Sequence, residues 1–255
     1  SPRFAATSWR WVSSTSCCEI KASGNNDRNV FESSLRGTDG SLFDSTVNAE
    51  ITPETIDFFV SDAEGDPDCP TQGYSSIELS LQALRKGKFV IVVDDETGDV
   101  EGNLIMAGTL TSPKYIAFLI KNGSGIVSVA MKKEDLERLE LTLMSNLDAK
   151  SGTSTGVSAS DRAMTVLALS SLEAKADDFR RPGHVFPLKY REGGVLRRAG
   201  HTEASVDLMI LAGLRPVSVL SAILDQEDGS MASLPYMKKL ASEHDIPIVS
   251  LTDII

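Results

Sequence analysis

The chain has 255 residues, 41% of them apolar, with 36 acidic side chains against 25 Lys and Arg and a formal net charge of −11. An acidic balance disfavours sequence-independent binding to phosphate backbones, and no apolar run approaches the roughly 18 residues that a membrane span needs, so the composition predicts a soluble protein that binds neither nucleic acid nor membrane. All three cysteines, Cys17, Cys18 and Cys69, precede residue 74, so the remainder can build no disulfide, thiolate zinc site or cysteine nucleophile, and any metal there is held by oxygen and imidazole.

Residues 1–18 contain Arg3, Arg10, several Ser and Thr, Trp9 and Trp11, and no acid, which resembles the tail of an organelle transit peptide. Residues 19–73 then carry 12 acids, from Glu19 to Asp68, against Lys21, Arg28 and Arg36, a net of −9. Without a hydrophobic period, this stretch reads as a disordered, solvated linker; a docking segment is the alternative.

From residue 74 onward the pattern becomes that of a packed domain. Ile77, Leu81 and Leu84 fall at helical spacing within Ser75–Arg85, Gly87 ends that helix, and Phe89-Val90-Ile91-Val92-Val93 reads as a buried strand spanning 88–93. That strand delivers the carboxylates of Asp94, Asp95, Glu96, Asp99 and Glu101 to its carboxyl end. Ser112-Pro113 is an N-cap followed by proline at the first helical position, and Asn122-Gly123 stops the helix before a strand at 125–130. A short charged helix at Lys133–Leu139 and a longer one at Asp161–Leu172 follow, then Thr202–Leu211, ended by Gly213, and a strand at Pro216–Ile223. A helix at Pro235–Ser242 and a strand at Pro247–Leu251 complete one α/β or α+β domain with a mixed sheet. Two long connections, 145–160 and 173–198, stand out as loops. Both are rich in anion-binding groups: Ser and Thr hydroxyls, including Thr155, in the first, and Arg180, Arg181, Arg197 and Arg198 in the second.

Each polar cluster admits two readings. Arg198-Ala199-Gly200-His201-Thr202 opens a helix whose first N–H groups and dipole favour an anion such as a sugar phosphate, yet Thr202 can equally be a plain N-cap and His201 a surface residue. His184 sits among Arg181, Pro182, Gly183 and Pro187 in what reads as a rigid loop, as a general acid/base or as a packing residue. His244, at a helix end beside Glu243 and Asp245, reads as structural. The carboxylates at 94–101 can hold a hard divalent cation or line a solvated loop; their spacing matches no calcium-loop pattern.

Four segments in order, 87–96, 152–163, 181–188 and 198–208, resemble the 3,4-dihydroxy-2-butanone 4-phosphate synthase family of riboflavin biosynthesis, and the resemblance covers about 74–255. It implies an α/β sandwich, a homodimer or a heterodimer with a paralogue, sites at the subunit interface, and magnesium or manganese as cofactor. The implied reaction converts ribulose 5-phosphate to 3,4-dihydroxy-2-butanone 4-phosphate and formate. In plants the domain is joined to a zinc-dependent GTP cyclohydrolase II and is addressed to the plastid. By resemblance, Asp99 and His201 fall on the metal positions; Arg198, Thr202, Asn103 and Thr155 on substrate positions; and His184 on a catalytic one.

The same resemblance exposes departures. The family reads Asp-Asp-Glu-Asp-Arg-Glu-Asn-Glu-Gly-Asp-Leu where this chain runs from Asp94 to Leu104, so arginine becomes Gly98, the metal glutamate Asp99 and the substrate aspartate Asn103. Ala222 stands where the family carries its catalytic glutamate. Near 145–151 a strand and turn are missing, and a family histidine is Ser151. Asn103 brings no charge, and losing a general acid/base typically lowers a rate by about 10²–10⁴. The expectation is a family domain that is catalytically impaired and serves as a dimerising partner, with an active magnesium-dependent synthase or a sugar-phosphate sensor as alternatives.

Overall fold

The computed structural model of the chain describes residues 70–94, 100–141 and 146–255. The readings of residues 1–69 as transit peptide and linker, and those of Glu96, Gly98 and Asp99, lie outside them. Residues 70–73 are held to the domain, since the Thr71 hydroxyl donates to Asp253 at 2.6 Å.

Helix α1, Ile77–Arg85, starts where Ser76 Oγ accepts the Leu79 N–H and carries Glu78 in its first turn and Arg85 in its last, complementing the helix dipole at both ends. The strand β1, Val90–Val93, is buried at every position, as its unbroken apolar run requires when both faces of a sheet are covered. It turns back into β2, Gly102–Ala107, with Val93 opposite Gly102 and Val90 opposite Ile105. Gly102 is needed on this strand, because a Cβ there would lie 2.0 Å from Met237 Sδ.

Helix α2, Pro113–Asn122, is capped by Ser112, and β3 is Val127–Met131. The short α3, Lys133–Arg138, and the three-residue β4, Leu147–Ala149, come next. Helix α4 is Ala159–Leu169 with Ser158 as cap, and β5 is Phe179–Lys189. The chain closes through α5, His201–Leu211; β6, Val217–Ala222; α6, Leu234–His244; and β7, Ile248–Ser250.

The seven strands form one mixed sheet in the order β4-β5-β3-β6-β2-β1-β7. Pairs β3/β5 and β1/β7 are parallel, and the others antiparallel. Apolar residues of α2, α3, α4 and α6 cover one face, with Ile116, Leu119, Val166 and Met237 fully buried against Ile91, Leu104, Met106 and Val129. Residues of α1 and α5, including Leu84, Val206 and Leu208, cover the other against Val90, Val92 and Ile105. Truncating one such leucine to alanine would cost about 2–5 kcal/mol.

Two expectations are corrected. The connection 173–198 is not a loop: β5 occupies eleven of its residues, hidden in the sequence by Pro182, Gly183 and Pro187, which lack the apolar alternation of a strand. The connection 145–160 is not wholly a loop either, since β4 occupies Leu147–Ala149, a strand too short to show an apolar alternation. Among the described residues β4 is the strand at this edge of the sheet, and its register with β5 breaks between Leu147, opposite Val185, and Asp148, opposite Arg180.

Candidate active site

A cavity of about 470 Å³ opens where α5 begins, lined by Arg198, His201 and Thr202 on one side and by Asp94, Glu101 and Asn103 on the other. Ala222 and Ser221 of β6 lie between the two sides, because Asn103 of β2 pairs directly with Ala222. The two positions at which the family pattern has acids are thus neighbours in one ladder. The Asn103 amide donates to Glu101 Oε1 at 3.0 Å, so it engages one of the carboxylates of the cavity.

The α5 side is a rigid frame. Gly200 is the N-cap residue and has no side chain to bond the first turn, and Gly200, His201 and Thr202 line the cavity. The Ser218 hydroxyl donates to Ser205 Oγ at 2.6 Å, and the Ser205 hydroxyl donates to the Thr202 carbonyl at 2.8 Å, so β6 holds the start of the helix. Glu203, fully buried, accepts from Arg198 Nη1 and from the Arg191 N–H, each at 3.3 Å. It holds one nitrogen of a guanidinium whose side chain is 57% exposed.

His201 Nε2 is buried without a hydrogen-bond partner. An orphaned imidazole nitrogen in a polar cavity fits a metal ligand, since leaving it bare costs desolvation free energy. Among the described residues, no three His, Cys, Asp or Glu side chains are grouped to hold an ion. The fit to a divalent ion therefore rests on the bare nitrogen of His201 alone; Asp94 and Glu101 line the same cavity without grouping around it, and the second expected ligand, Asp99, is outside the described residues.

His184 and Thr155 do not line this cavity. His184 is on β5, not in a loop as its proline and glycine neighbours suggested, and Asp148 holds it twice: Oδ1 accepts the His184 N–H and Oδ2 pairs with Nδ1, both at 2.9 Å. Asp148 is buried, and Arg180 Nε approaches it to 3.8 Å. Gly156, at φ 91°, packs against this pair, where a Cβ would lie 2.0 Å from Asp148 Oδ2. Thr155 is exposed on the adjoining turn. Asp161 clamps that turn by accepting from the Ser154 N–H and hydroxyl and the Gly156 N–H, and these bonds hold its carboxyl below the usual carboxylate range. Sequence reasoning missed Asp148, Asp161 and Glu203 as the carboxylates that fix site residues; burial in a polar network leaves no local signal beyond the presence of Asp161 and Glu203 in the recognised segments. His244 is structural as expected, its ring edge-on to Phe118 with centroids 4.9 Å apart.

Residues 78–255 match the family described as 3,4-dihydroxy-2-butanone 4-phosphate synthase. The chain belongs to this family. It is 82% identical over 275 aligned positions to the monofunctional riboflavin biosynthesis protein RIBA 3, chloroplastic, of Arabidopsis thaliana, covering 100% of this chain and 54% of that protein. To the bifunctional riboflavin biosynthesis protein RIBA 1, chloroplastic, of the same plant it is 51% identical, covering 82% and 41%. The chain thus spans about half the length of the curated relatives it matches. The first alignment exceeds the 255 residues of this chain by at least 20 positions, so that relative carries residues absent here. Among solved structures, the Candida albicans 3,4-dihydroxy-2-butanone 4-phosphate synthase superposes with a TM-score of 0.69 at 39% identity, over 71% of this chain and 96% of that one. A synthase in complex with two magnesium ions gives 0.68 at 33% identity, over 71% and 95%. The α/β sandwich expected from the sequence is the fold of this family.

Proposed function

We propose that this chain is a synthase-family domain of riboflavin biosynthesis that keeps the sugar-phosphate grip, has lost most of the acid–base chemistry, and works in the plastid as the dimerising partner of a second, GTP cyclohydrolase II-type domain or of an active paralogue. The observation that carries this reading is the Asn103–Ala222 pair: two positions that would supply carboxylates to the reacting sugar are adjacent in the sheet, open to the cavity, and neutral. In the family reaction a base must take a proton from the carbon skeleton and an acid must return one, and an amide and a methyl group do neither. The relative at 82% identity is called monofunctional and the one at 51% bifunctional; this reading takes the synthase to be the function that is lost.

What the remaining residues do is bind. Arg198, anchored on Glu203, and Thr202 with the first turn of α5 take the phosphate of ribulose 5-phosphate. A magnesium or manganese ion, when present on His201 and a neighbouring carboxylate, would supply positive charge to the oxygens of the sugar. His184, oriented by Asp148, and Thr155 are separated from that cavity within one chain. Dimerisation is the arrangement that gives them a role, and the apolar Ile126, Val157 and Phe186, 52%, 50% and 39% exposed, are side chains that a second copy would cover. The strand and turn read as missing near 145–151 fall, on this reading, beside β4, which has three residues.

The orphaned nitrogen of His201 favours a second reading, a working magnesium-dependent synthase using Glu101 and His184 for proton transfer. Formate release from ribulose 5-phosphate and magnesium, measured beside the Candida albicans enzyme, separates the two. Our reading expects none above background from this chain, and release at a comparable rate would overturn it.

A further inference from the structure

A second cleft, of about 850 Å³, adjoins the first through Arg198 and is lined by Lys133, Lys189, Arg191 and Arg197, with Glu192 its sole exposed acid. Lys189 pairs with Met131 at the carboxyl ends of the parallel strands β5 and β3, and Lys133 starts α3 just beyond. Crevices at the carboxyl ends of parallel strands are where open α/β sheets receive ligands. Both walls of this one are fixed by a single carboxylate. Asp207 accepts the Tyr190 hydroxyl and the Val195 N–H, each at 2.8 Å, and Gly194, at φ 57°, approaches it so closely that a Cβ would lie 2.1 Å from Oδ2. The turn that carries Arg197 and Arg198 is therefore held over Tyr190.

Among the described residues, Lys189, Arg197 and the side chain of Arg191 have no anionic partner, although the chain as a whole has 36 acids and 25 Lys and Arg. Cations left unpaired around one rigid cleft of an acidic protein repel one another, a cost that a polyanion relieves. One sugar phosphate, gripped by Arg198 and Thr202, occupies the first cavity and leaves these groups unused.

We infer that this cleft binds a small polyphosphate-bearing molecule, of the size and charge of a nucleoside triphosphate, at a site distinct from the sugar-phosphate cavity. The probe is inorganic tripolyphosphate, compared with orthophosphate, in calorimetric titrations of the 255-residue chain at low ionic strength. Tripolyphosphate binds at least about tenfold tighter than orthophosphate, and the double variant Lys189→Ala/Arg197→Ala loses about tenfold of that affinity. Thr202→Val weakens ribulose 5-phosphate and leaves tripolyphosphate unchanged. Equal affinities for the two anions, or a double variant that binds tripolyphosphate as the unaltered chain does, overturns the inference. Absence of ribulose 5-phosphate binding alone would instead strike at the sugar-phosphate reading.

Discussion

The two sides of the cavity differ in the functional groups they present. On the α5 side, Arg198, His201 and Thr202 are held by a connected frame that includes the buried Glu203 and the Ser218–Ser205 bond to β6. On the β2/β6 side, the backbone ladder is equally regular, yet Asn103 and Ala222 present an amide and a methyl group. A ladder is made by backbone groups and survives any side chain that fits, whereas a proton-transfer site depends on one functional group at one position. On the proposed reading, the fold and the grip on an anion outlast the reaction.

The largest effect that would sharpen this contrast is recovery of activity. Asn103→Asp and Ala222→Glu together with Gly98→Arg and Asp99→Glu should raise formate release by about 10²–10⁴, the usual worth of a general acid/base. Thermal unfolding of the same variant reports whether two added carboxylates are tolerated. A variant that melts like the unaltered chain and releases no formate would move the defect from these side chains to the shortened β4 edge.

Next in size is the grip itself. Arg198→Ala removes a charge-assisted contact and leaves Glu203 buried without its cation, so ribulose 5-phosphate should bind about tenfold or more weakly, a loss of about 1.5–3 kcal/mol. Titration calorimetry measures it. Arg198→Lys keeps the charge and restores part of the affinity, which a purely structural role of Arg198 would not produce.

Much of this arrangement is legible in the chain. The helices and the strands β1, β3, β6 and β7 follow from caps and apolar spacing, and the helix-start cluster at Arg198–Thr202 forms one wall of the cavity as read. Three strands were not legible, β4 because its three residues are too few to show an alternation. β5 carries Pro182 and Pro187 and owes its strand character to its neighbours, with Pro187 opposite Val129 in a parallel pair that needs no local alternation. β2 begins at Gly102 and Asn103, residues that on their own favour turns, and Met237 is what demands the glycine. The separation of His184 and Thr155 from the cavity was equally hidden, because nearness across a sheet depends on strand order, which no single segment encodes.

The Thr155 turn offers a smaller effect. Hydrogen bonds from Ser154 and Gly156 depress the Asp161 carboxyl, so its contribution to stability is present above the unfolded value of about 3.9 and disappears as the pH falls through the folded value. Unfolding measured down the acid limb should show this loss, and Asp161→Asn should remove it. If the two proteins share the same acid limb, the clamp on the turn contributes nothing to the fold.

The smallest expected effect probes the frame beneath Arg198. Burial, then the hydrogen bond to Asp207 and its charge, push the Tyr190 phenol up to about 12. The sign follows from which state ionises first. Below about pH 10 the phenol is neutral in both folded and unfolded chains and stability is independent of it. Between pH 10 and about 12 only the unfolded chain ionises, so the stability that Tyr190 confers is lost as the pH rises through that window. Phenolate absorbance of the chain, minus that of Tyr190→Phe, should therefore give one phenol titrating late. Asp207→Asn should bring it down only part of the way, since burial is the leading cause and remains. A full return to the ordinary value would mean that Asp207 alone holds the phenol up; an unchanged titration would mean that the carboxylate does not engage Tyr190 in solution, and the wall carrying Arg197 and Arg198 would lose its anchor on that side.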